Sequence, residues 1–254
     1  GADPALERML GQAARLAPTQ IPLLISGETG TGKEKLARAI HVSVATARVF
    51  HTVRCATAAD LAALQNSEPG TLFLRGVEDL DAQTQANMLA LLDHAPHLRI
   101  VASCRCAPGD LADTMRPDLY HRLAGAVLSM PPLRHRTDMD WLIDRLLRRR
   151  CTDDLRLSPA ARAELKSRAW AGNIRELESA LDVAVALCEG RVIDLPDLPL
   201  AQERQAVTEH LEQEDLETLM AACGWNMAQA GRRLGVNRST VLRRLRKAGL
   251  TPPE

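Results

Sequence analysis

The chain has 254 residues, of which 46% are apolar and 2% aromatic, so one large domain or two to three small ones must build their cores from Leu, Ala and Val. The formal net charge is zero, which excludes a uniformly basic protein and permits at most a local nucleic-acid surface. No apolar run reaches the length of a membrane span and no secretory signal opens the chain, so we expect a cytoplasmic protein without a membrane partner.

Residues 1 to about 135 alternate short apolar runs with helical patterns, which is typical of a parallel α/β sheet. The apolar runs predict strands at 21–25, 50–54, 71–74, 99–103 and 126–129. The helical patterns predict helices at 4–16, 33–46, 58–64, 82–93 and 118–124. The first part of the chain is therefore expected to form an α/β domain.

A phosphate-binding loop is predicted between the first strand and the second helix. Its sequence is Gly27-Glu28-Thr29-Gly30-Thr31-Gly32-Lys33-Glu34. The glycines let backbone N–H groups point at phosphate oxygens, and the charge of Lys33 and the dipole of the following helix attract the same anion. The loop predicts a bound nucleotide, ATP or ADP; the alternative is a turn kept only for folding.

The third strand lacks the acidic residues that nucleotide hydrolysis requires. It should end in Asp-Glu to hold magnesium and polarise a water, but the run that ends at Leu74 is followed by Arg75-Gly76. We therefore do not expect magnesium, and the six cysteines do not have the spacing of a zinc site. Arg75 is either a fixed counter-charge to phosphate in place of the metal or a solvent-facing side chain; the sequence favours neither.

Residues 138–190 have a helical pattern throughout. Ser158 and Pro159 have the residue types that start a helix, and Gly172-Asn173 separates that helix from the next. The stretch 191–211 combines prolines with mixed polar residues, which indicates a linker. A final helical unit is predicted over residues 212–250.

The final unit has the spacing of a helix-turn-helix, with Gly235 in the turn. From Arg232 to Lys247 there are seven basic residues and no acidic one. The exposed side of the second helix is predicted to contact DNA through Asn237, Arg238, Thr240, Arg243 and Arg244. The first two can reach base edges and the later arginines suit phosphates. The alternative is a solvated basic helix.

The order of these motifs resembles the bacterial enhancer-binding proteins, AAA+ activators that work with sigma-54 RNA polymerase, and most of all their acetoin-catabolism-regulator branch. The resemblance covers nearly the whole chain. It implies an α/β fold, an AAA+ P-loop parallel sheet with an all-α lid and a C-terminal Fis-type helix-turn-helix domain. The implied boundaries are 1–136 for the sheet, 137–195 for the lid, 196–211 for a linker and 212–254 for the DNA-binding domain.

The resemblance also assigns roles to single residues. Residues 116–123 match the arginine-finger segment, so Arg116 and Arg122 would reach the phosphates of a neighbouring subunit. Residues 170–177 match the sensor II motif, which places Arg175 near the nucleotide. The alternative for the two finger-like residues is an ordinary surface position on a helix.

Several positions depart from the family pattern. The Walker B acids are replaced by Arg75-Gly76, the sensor I residue by Arg105, and the Asn that restrains the catalytic Glu by Arg54. The family places the GAFTGA loop, which contacts sigma-54, between the second and third strands. Only a short stretch separates Cys55 from Gly70 here, and no such sequence occurs anywhere in the chain.

Together these features predict a cytoplasmic regulator of transcription that binds double-stranded DNA as a dimer through its C-terminal domain. Its AAA+ module is expected to bind nucleotide without hydrolysing it and to support a higher oligomer. We expect it to act with the housekeeping RNA polymerase or as a repressor, without sigma-54. Two alternatives stay open: an active ATPase that uses Glu78 or Asp79, which are expected to lie too far from the loop, and a purely structural DNA-binding dimer.

Overall fold

The computed structural model describes residues 3–44, 48–57, 64, 67–150, 155–199 and 220. A five-stranded, fully parallel sheet has the order β2-β3-β4-β1-β5. The strands are β1 (Leu23–Ser26), β2 (Val49–Arg54), β3 (Gly70–Arg75), β4 (Leu98–Cys104) and β5 (Ala126–Ser129). All five predicted strands are confirmed, each with ends within two residues of the prediction, and so is the α/β fold class.

Helices cover both faces of the sheet. They are α1 (Pro4–Leu16), α2 (Lys33–Val44), α3 (Ala82–His94), α4 (Pro108–Thr114) and α5 (Pro117–Leu123). The sequence did not predict α4, because Pro108-Gly109 has the composition of a turn; in the structure Pro108 instead occupies the first turn of the helix. The helix predicted over 58–64 lies outside the described residues, apart from Leu64.

Alternate residues of the central strands enter two separate cores. Leu24, Leu72 and Leu74 pack towards α3, α4 and α5. Ile25 and Phe73, the neighbours of these leucines in sequence, pack on the opposite face against α1 and α2. Because β1, β3 and β4 are buried on both faces, they are continuous apolar runs. Their carboxyl ends lie at one edge of the sheet, where polar residues begin.

The lid consists of α6 (Met139–Arg148), α7 (Pro159–Ser167) and α8 (Asn173–Leu187), which share a core of their own. The predicted start of α7 is confirmed: the Oγ of Ser158 accepts a hydrogen bond from the backbone N–H of Ala161 at 3.1 Å. Trp170 is buried in this core and donates its indole N–H to the carbonyl of Leu165.

The prediction that the region 138–190 is helical throughout is wrong in one place. Two short parallel strands, β6 (Arg156–Leu157) and β7 (Val192–Ile193), pair the segment between α6 and α7 with the segment that follows α8. Such two-residue strands have no sequence period of their own, because tertiary pairing alone creates them. Ile193 and Leu198 are buried in the lid core, so the lid extends into the stretch predicted as linker, 191–211.

The chain divides into two compact units, residues 1–198 and 199–254. The second unit carries the predicted helix-turn-helix, whose DNA-contacting residues lie outside the described ones. No helix in the part of the chain that the structure describes is long and apolar enough to cross a membrane.

Candidate nucleotide-binding site

The phosphate loop joins β1 to α2 in the strand–loop–helix arrangement that the sequence predicted. Gly27, Gly30 and Gly32 all have positive φ, so the backbone uses conformations that side chains rarely adopt. A Cβ on Gly30 would lie 2.0 Å from the carbonyl oxygen of Gly172 in the lid. Only glycine at position 30 therefore allows the loop to approach the lid backbone this closely.

Lys33 lies over the loop that precedes it. Its ammonium group donates to the carbonyls of Gly27 at 2.5 Å and Glu28 at 2.8 Å. Burial lowers the pKa of Lys33, an effect that the nearby carboxylate of Glu78 opposes. The lysine is thus held at the mouth of the loop, where a phosphate would replace the two carbonyls as its partner.

The loop is bound to the lid by a second contact, which the sequence did not predict. The carboxylate of Glu28 accepts hydrogen bonds from Arg134 and from the side-chain amide of Asn173. The same amide donates to the carbonyl of Thr29 at 2.9 Å, while its oxygen accepts from the N–H of Leu133 at 2.7 Å. Hydrogen bonding from Arg134, and after it from Asn173, lowers the pKa of Glu28 to about 2.

A cavity of about 480 Å³ opens between the loop, the carboxyl ends of the strands and the lid. Lys33 and the predicted sensor Arg175 both line it, together with Arg54, Arg75 and Arg105. Among the described lining residues, seven side chains are cationic and three are carboxylates. The cavity is therefore suited to a polyanion.

Arg75, the last residue of β3, reaches across to the phosphate loop. Its guanidinium lies 3.6 Å from the carboxylate of Glu34, which also pairs with Arg38 one helical turn later at 3.0 Å. The side chain of Arg75 is partly exposed and lines the cavity. A cation therefore occupies the strand end at which the family pattern has an acid.

Arg105, just beyond β4, binds both acids that follow β3. Its side chain contacts Glu78 at 2.5 Å and Asp79 at 2.5 Å, and its backbone N–H donates to Glu78 at 3.1 Å. Asp79 lines the same cavity as Lys33, and the expectation that the two acids lie too far from the loop to act in hydrolysis stays a prediction. Burial raises the pKa of Asp79, and the Oε2 of Glu78 is buried without a hydrogen-bond partner among the described residues.

These side chains do not fit Mg²⁺, which P-loop proteins hold with a loop hydroxyl, a strand-end carboxylate and the phosphates. The hydroxyl position is Glu34, a carboxylate that is paired with Arg38 and Arg75, and the strand-end position is Arg75 itself, which cannot bind a metal ion. Both nearby acids are already paired with Arg105. No group of three or more His, Cys, Asp and Glu side chains within the described ranges could hold a metal ion.

The two finger-like arginines lie on the surface at α5 and are about half exposed. Arg116 pairs with Asp118 at 3.0 Å, and Arg122 pairs with Asp93. Neither is among the described residues that line the cavity. Their action on a neighbouring subunit stays a prediction.

Comparison with known proteins agrees with this arrangement. The family model described as "Sigma-54 interaction domain" matches residues 1–133, more than half of the chain. The chain belongs to this family. Further matches are an AAA+ ATPase lid domain at residues 134–215 and "Bacterial regulatory protein, Fis family" at residues 208–247. The sigma-54 activator resemblance, the AAA+ fold and the Fis-type helix-turn-helix are thereby confirmed.

Several similar proteins are named as regulators. The acetoin catabolism regulatory protein of Cupriavidus necator is 33% identical over all of this chain, which spans 47% of that protein. The transcriptional regulatory protein ZraR of Salmonella typhimurium is 31% identical over 96% of this chain and 67% of the relative. The response regulator PilR of Pseudomonas aeruginosa is 32% identical over 98% of this chain and 69% of the relative. The chain thus spans about half the length of the first of these relatives.

The first alignment also shows what this chain lacks. It extends over 314 positions although the chain has 254 residues, so about 60 positions of the relative have no counterpart here. The alignment with ZraR is likewise longer than the chain, at 297 positions. Relative to these two proteins, the chain is therefore shortened internally.

Solved structures share the fold. NtrX from Brucella abortus in complex with ATP superposes with a TM-score of 0.68 at 25% identity, covering 98% of this chain and 69% of NtrX. The ADP complex of the same protein gives a TM-score of 0.69 at 25% identity with the same coverage. A RuvB mutant from Thermotoga maritima, at 16% identity and a TM-score of 0.59 over 97% of this chain and 89% of that one, has the same fold.

Proposed function

We propose that this protein is a cytoplasmic, DNA-binding regulator of transcription whose AAA+ module binds ATP or ADP, does not hydrolyse it, and acts without sigma-54. The observation that carries the loss of hydrolysis is Arg75, a guanidinium at the strand end and 3.6 Å from Glu34. Phosphoryl transfer to water depends on a metal ion and a positioned nucleophile. The positive charge of Arg75 at this position repels a metal ion. The nucleotide complexes of NtrX support binding by a homologous fold.

Within this proposal, Lys33 and the loop N–H groups hold the phosphates, and Arg175 contacts them from the lid. Arg175 lies in the first turn of α8 and lines the cavity. Glu28 holds the loop against the lid through Arg134 and Asn173. The module then serves to join subunits. Arg116 and Arg122 contact the neighbouring subunit. In the C-terminal domain, the operator is contacted by Asn237, Arg238, Thr240, Arg243 and Arg244.

Independence from sigma-54 is supported by the connection between β2 and β3. This connection comprises only residues 55–69, and the chain has about 60 positions fewer than the acetoin regulator alignment. The GAFTGA sequence of the family's contacting loop occurs neither in this segment nor elsewhere in the chain. Transcription with purified sigma-54 holoenzyme tests this directly, and ATP-dependent open-complex formation would contradict it.

A second candidate function, ATP hydrolysis with relocated acids, has one observation in its favour. Asp79 lines the cavity, and Glu78 has a buried oxygen without a described partner. Phosphate release at high protein concentration with Mg²⁺ separates the two functions. We expect no turnover above that of Lys33→Ala. Turnover that is lost in both Lys33→Ala and Asp79→Asn would establish the second candidate instead.

A further inference from the structure

Three neighbouring strands of the sheet each lead into an arginine at the same edge. Arg54 ends β2, Arg75 ends β3, and Arg105 directly follows β4. The Cα of Arg54 is the register partner of Arg75, and Arg75 is the partner of Ser103, two residues before Arg105. With about 4.8 Å between strands, the row spans roughly 10 Å. All three side chains line the cavity beside the phosphate loop.

Such a row is unfavourable unless something negative lies against it, because like charges directly opposite on adjacent strands repel. The protein supplies part of that charge: Arg75 shares Glu34 with Arg38, and Arg105 pairs with Glu78 and Asp79. These pairings are partly exposed, so solvent screens most of their attraction. The lining as a whole, with seven cations against three carboxylates, keeps a net charge of four positive units.

A nucleoside triphosphate without metal carries about four negative charges at neutral pH, of which the terminal phosphate contributes up to about two. Guanidinium groups bind phosphate oxygens with two parallel hydrogen bonds and keep their charge at any physiological pH. The net charge of the whole lining and the length of the row therefore match a polyphosphate chain that has no metal ion. A bound Mg²⁺ would instead lower the ligand's charge and place a second cation beside the arginines.

We propose that this cavity binds nucleoside polyphosphates without a divalent cation, with Arg54, Arg75 and Arg105 as the fixed counter-charge. This inference rests on the proposed nucleotide binding and specifies its ligand as the metal-free species. It makes Mg²⁺ an antagonist of binding, whereas a carboxylate at the end of β3 would make it a requirement. The site then responds to the ratio of free to metal-bound nucleotide.

The test is calorimetric titration of the full chain with ATP at constant ionic strength, once with a chelator and once with Mg²⁺ in excess. We expect the Kd to rise by about tenfold when Mg²⁺ is present, a loss of about 1.4 kcal/mol. Binding only in Mg²⁺ would overturn the metal-free site while leaving nucleotide binding intact. No binding in either buffer would overturn both this inference and the nucleotide binding of the proposed function.

Variants at Arg75 test the role of the row itself. Arg75→Gln removes the charge and should weaken binding in chelator while reducing the difference between the two buffers. Arg75→Asp should reverse the effect of Mg²⁺ on the Kd, so that Mg²⁺ strengthens the remaining binding of ATP. Lys166→Gln, on the lid surface beside Asp140, is the matched loss of one cation elsewhere and should change neither Kd. An unchanged Kd in Arg75→Gln, with the effect of Mg²⁺ preserved, would contradict the assignment of Arg75.

Discussion

The guanidinium of Arg134 donates two hydrogen bonds, 2.6 and 2.8 Å long, to the carboxylate of Glu28 in the phosphate loop. Arg134 lies where the matched lid domain begins, in the short turn before α6, so one side chain connects the loop with the start of the lid. Asn173, at the start of α8, donates to the same carboxylate at 3.1 Å. The position of the lid and the conformation of the loop are therefore coupled through Glu28.

Glu28→Gln is expected to lower stability in a pH-dependent way. The folded pKa of Glu28 is about 2, below its ordinary value of 4.5, because of Arg134. The stabilisation is therefore fully present above about pH 4.5 and is lost as the pH falls towards 2. Since the pair is partly exposed, we expect at most about 1 kcal/mol at pH 7.

The measurement is denaturant unfolding of both proteins at about pH 7 and about pH 3.5, on either side of the ordinary pKa of a glutamate. The difference between them should shrink at the lower pH. Glu189→Gln, in the exposed turn after α8, is the control and should leave stability unchanged in both buffers. A difference that is the same in the two buffers would mean that the charge of Glu28 is not what stabilises the contact.

Gly30→Ala is expected to destabilise the protein by at least about 2 kcal/mol, from a disfavoured backbone conformation and a collision with the lid. The φ of Gly30 is +80°, and its Cβ would meet the carbonyl oxygen of Gly172 at 2.0 Å. Gly11→Ala, inside α1 with no described atom within 4 Å of the new Cβ, should instead stabilise by about 0.5–1 kcal/mol. Thermal unfolding of the two variants gives shifts of opposite sign if the close approach is real.

Lys33→Ala should weaken nucleotide binding by about 1.5–3 kcal/mol, or roughly 10- to 150-fold, because it removes a charged hydrogen-bond donor. Lys35→Ala is the matched control on the same helix. Lys35 also lines the cavity, but it is 66% exposed and pairs with Glu178. Its removal should change the Kd by less than about fivefold. Equal effects of the two variants would show that the cavity attracts nucleotide only through its overall charge.

Arg238→Ala should relax base preference and cost about 1–3 kcal/mol on the specific site, whereas Arg244→Ala should weaken all sequences alike. Removing a phosphate contact should also reduce the slope of log affinity against log salt by about 1. Gel-shift titrations with specific and unrelated DNA at two salt concentrations distinguish these outcomes. If both variants bind as the unaltered chain does, the DNA-reading helix lies elsewhere.

Local sequence signals predicted the sheet and the loop because those elements depend on residues that are close in the chain. Apolar runs around Ile25 and Phe73 mark buried strands, and the glycines mark the loop. The bonds from Arg134 and Asn173 to Glu28 could not be predicted, since they join residues more than 100 positions apart. Asn173 stands in the sensor II segment that the sequence singled out, but that motif does not identify its partner.

The sequence likewise predicted only part of the charge distribution around Arg75. The loss of the acids was visible, but the partners of the new arginines were not. Glu34 could be assigned to Arg75, and Glu78 and Asp79 to Arg105, only once the strand ends were placed side by side. These pairs join residues from different elements of the fold, so they depend on the tertiary arrangement, which no single segment contains.

The turn that opens α8 has a consequence for the order in which the molecule assembles. Trp170 and Asn173 both have positive φ, at 50° and 54°, a region that a bulky side chain such as Trp adopts only under constraint from its surroundings. The constraint on Trp170 comes from the lid core, and that on Asn173 from Leu133 and the phosphate loop. The constraint on Asn173 requires the loop and the lid to be folded together, so we expect this turn to close late in folding. Contacts that form after the transition state act on the rate of unfolding, so we expect substitutions in this turn to change the rate of unfolding more than the rate of folding.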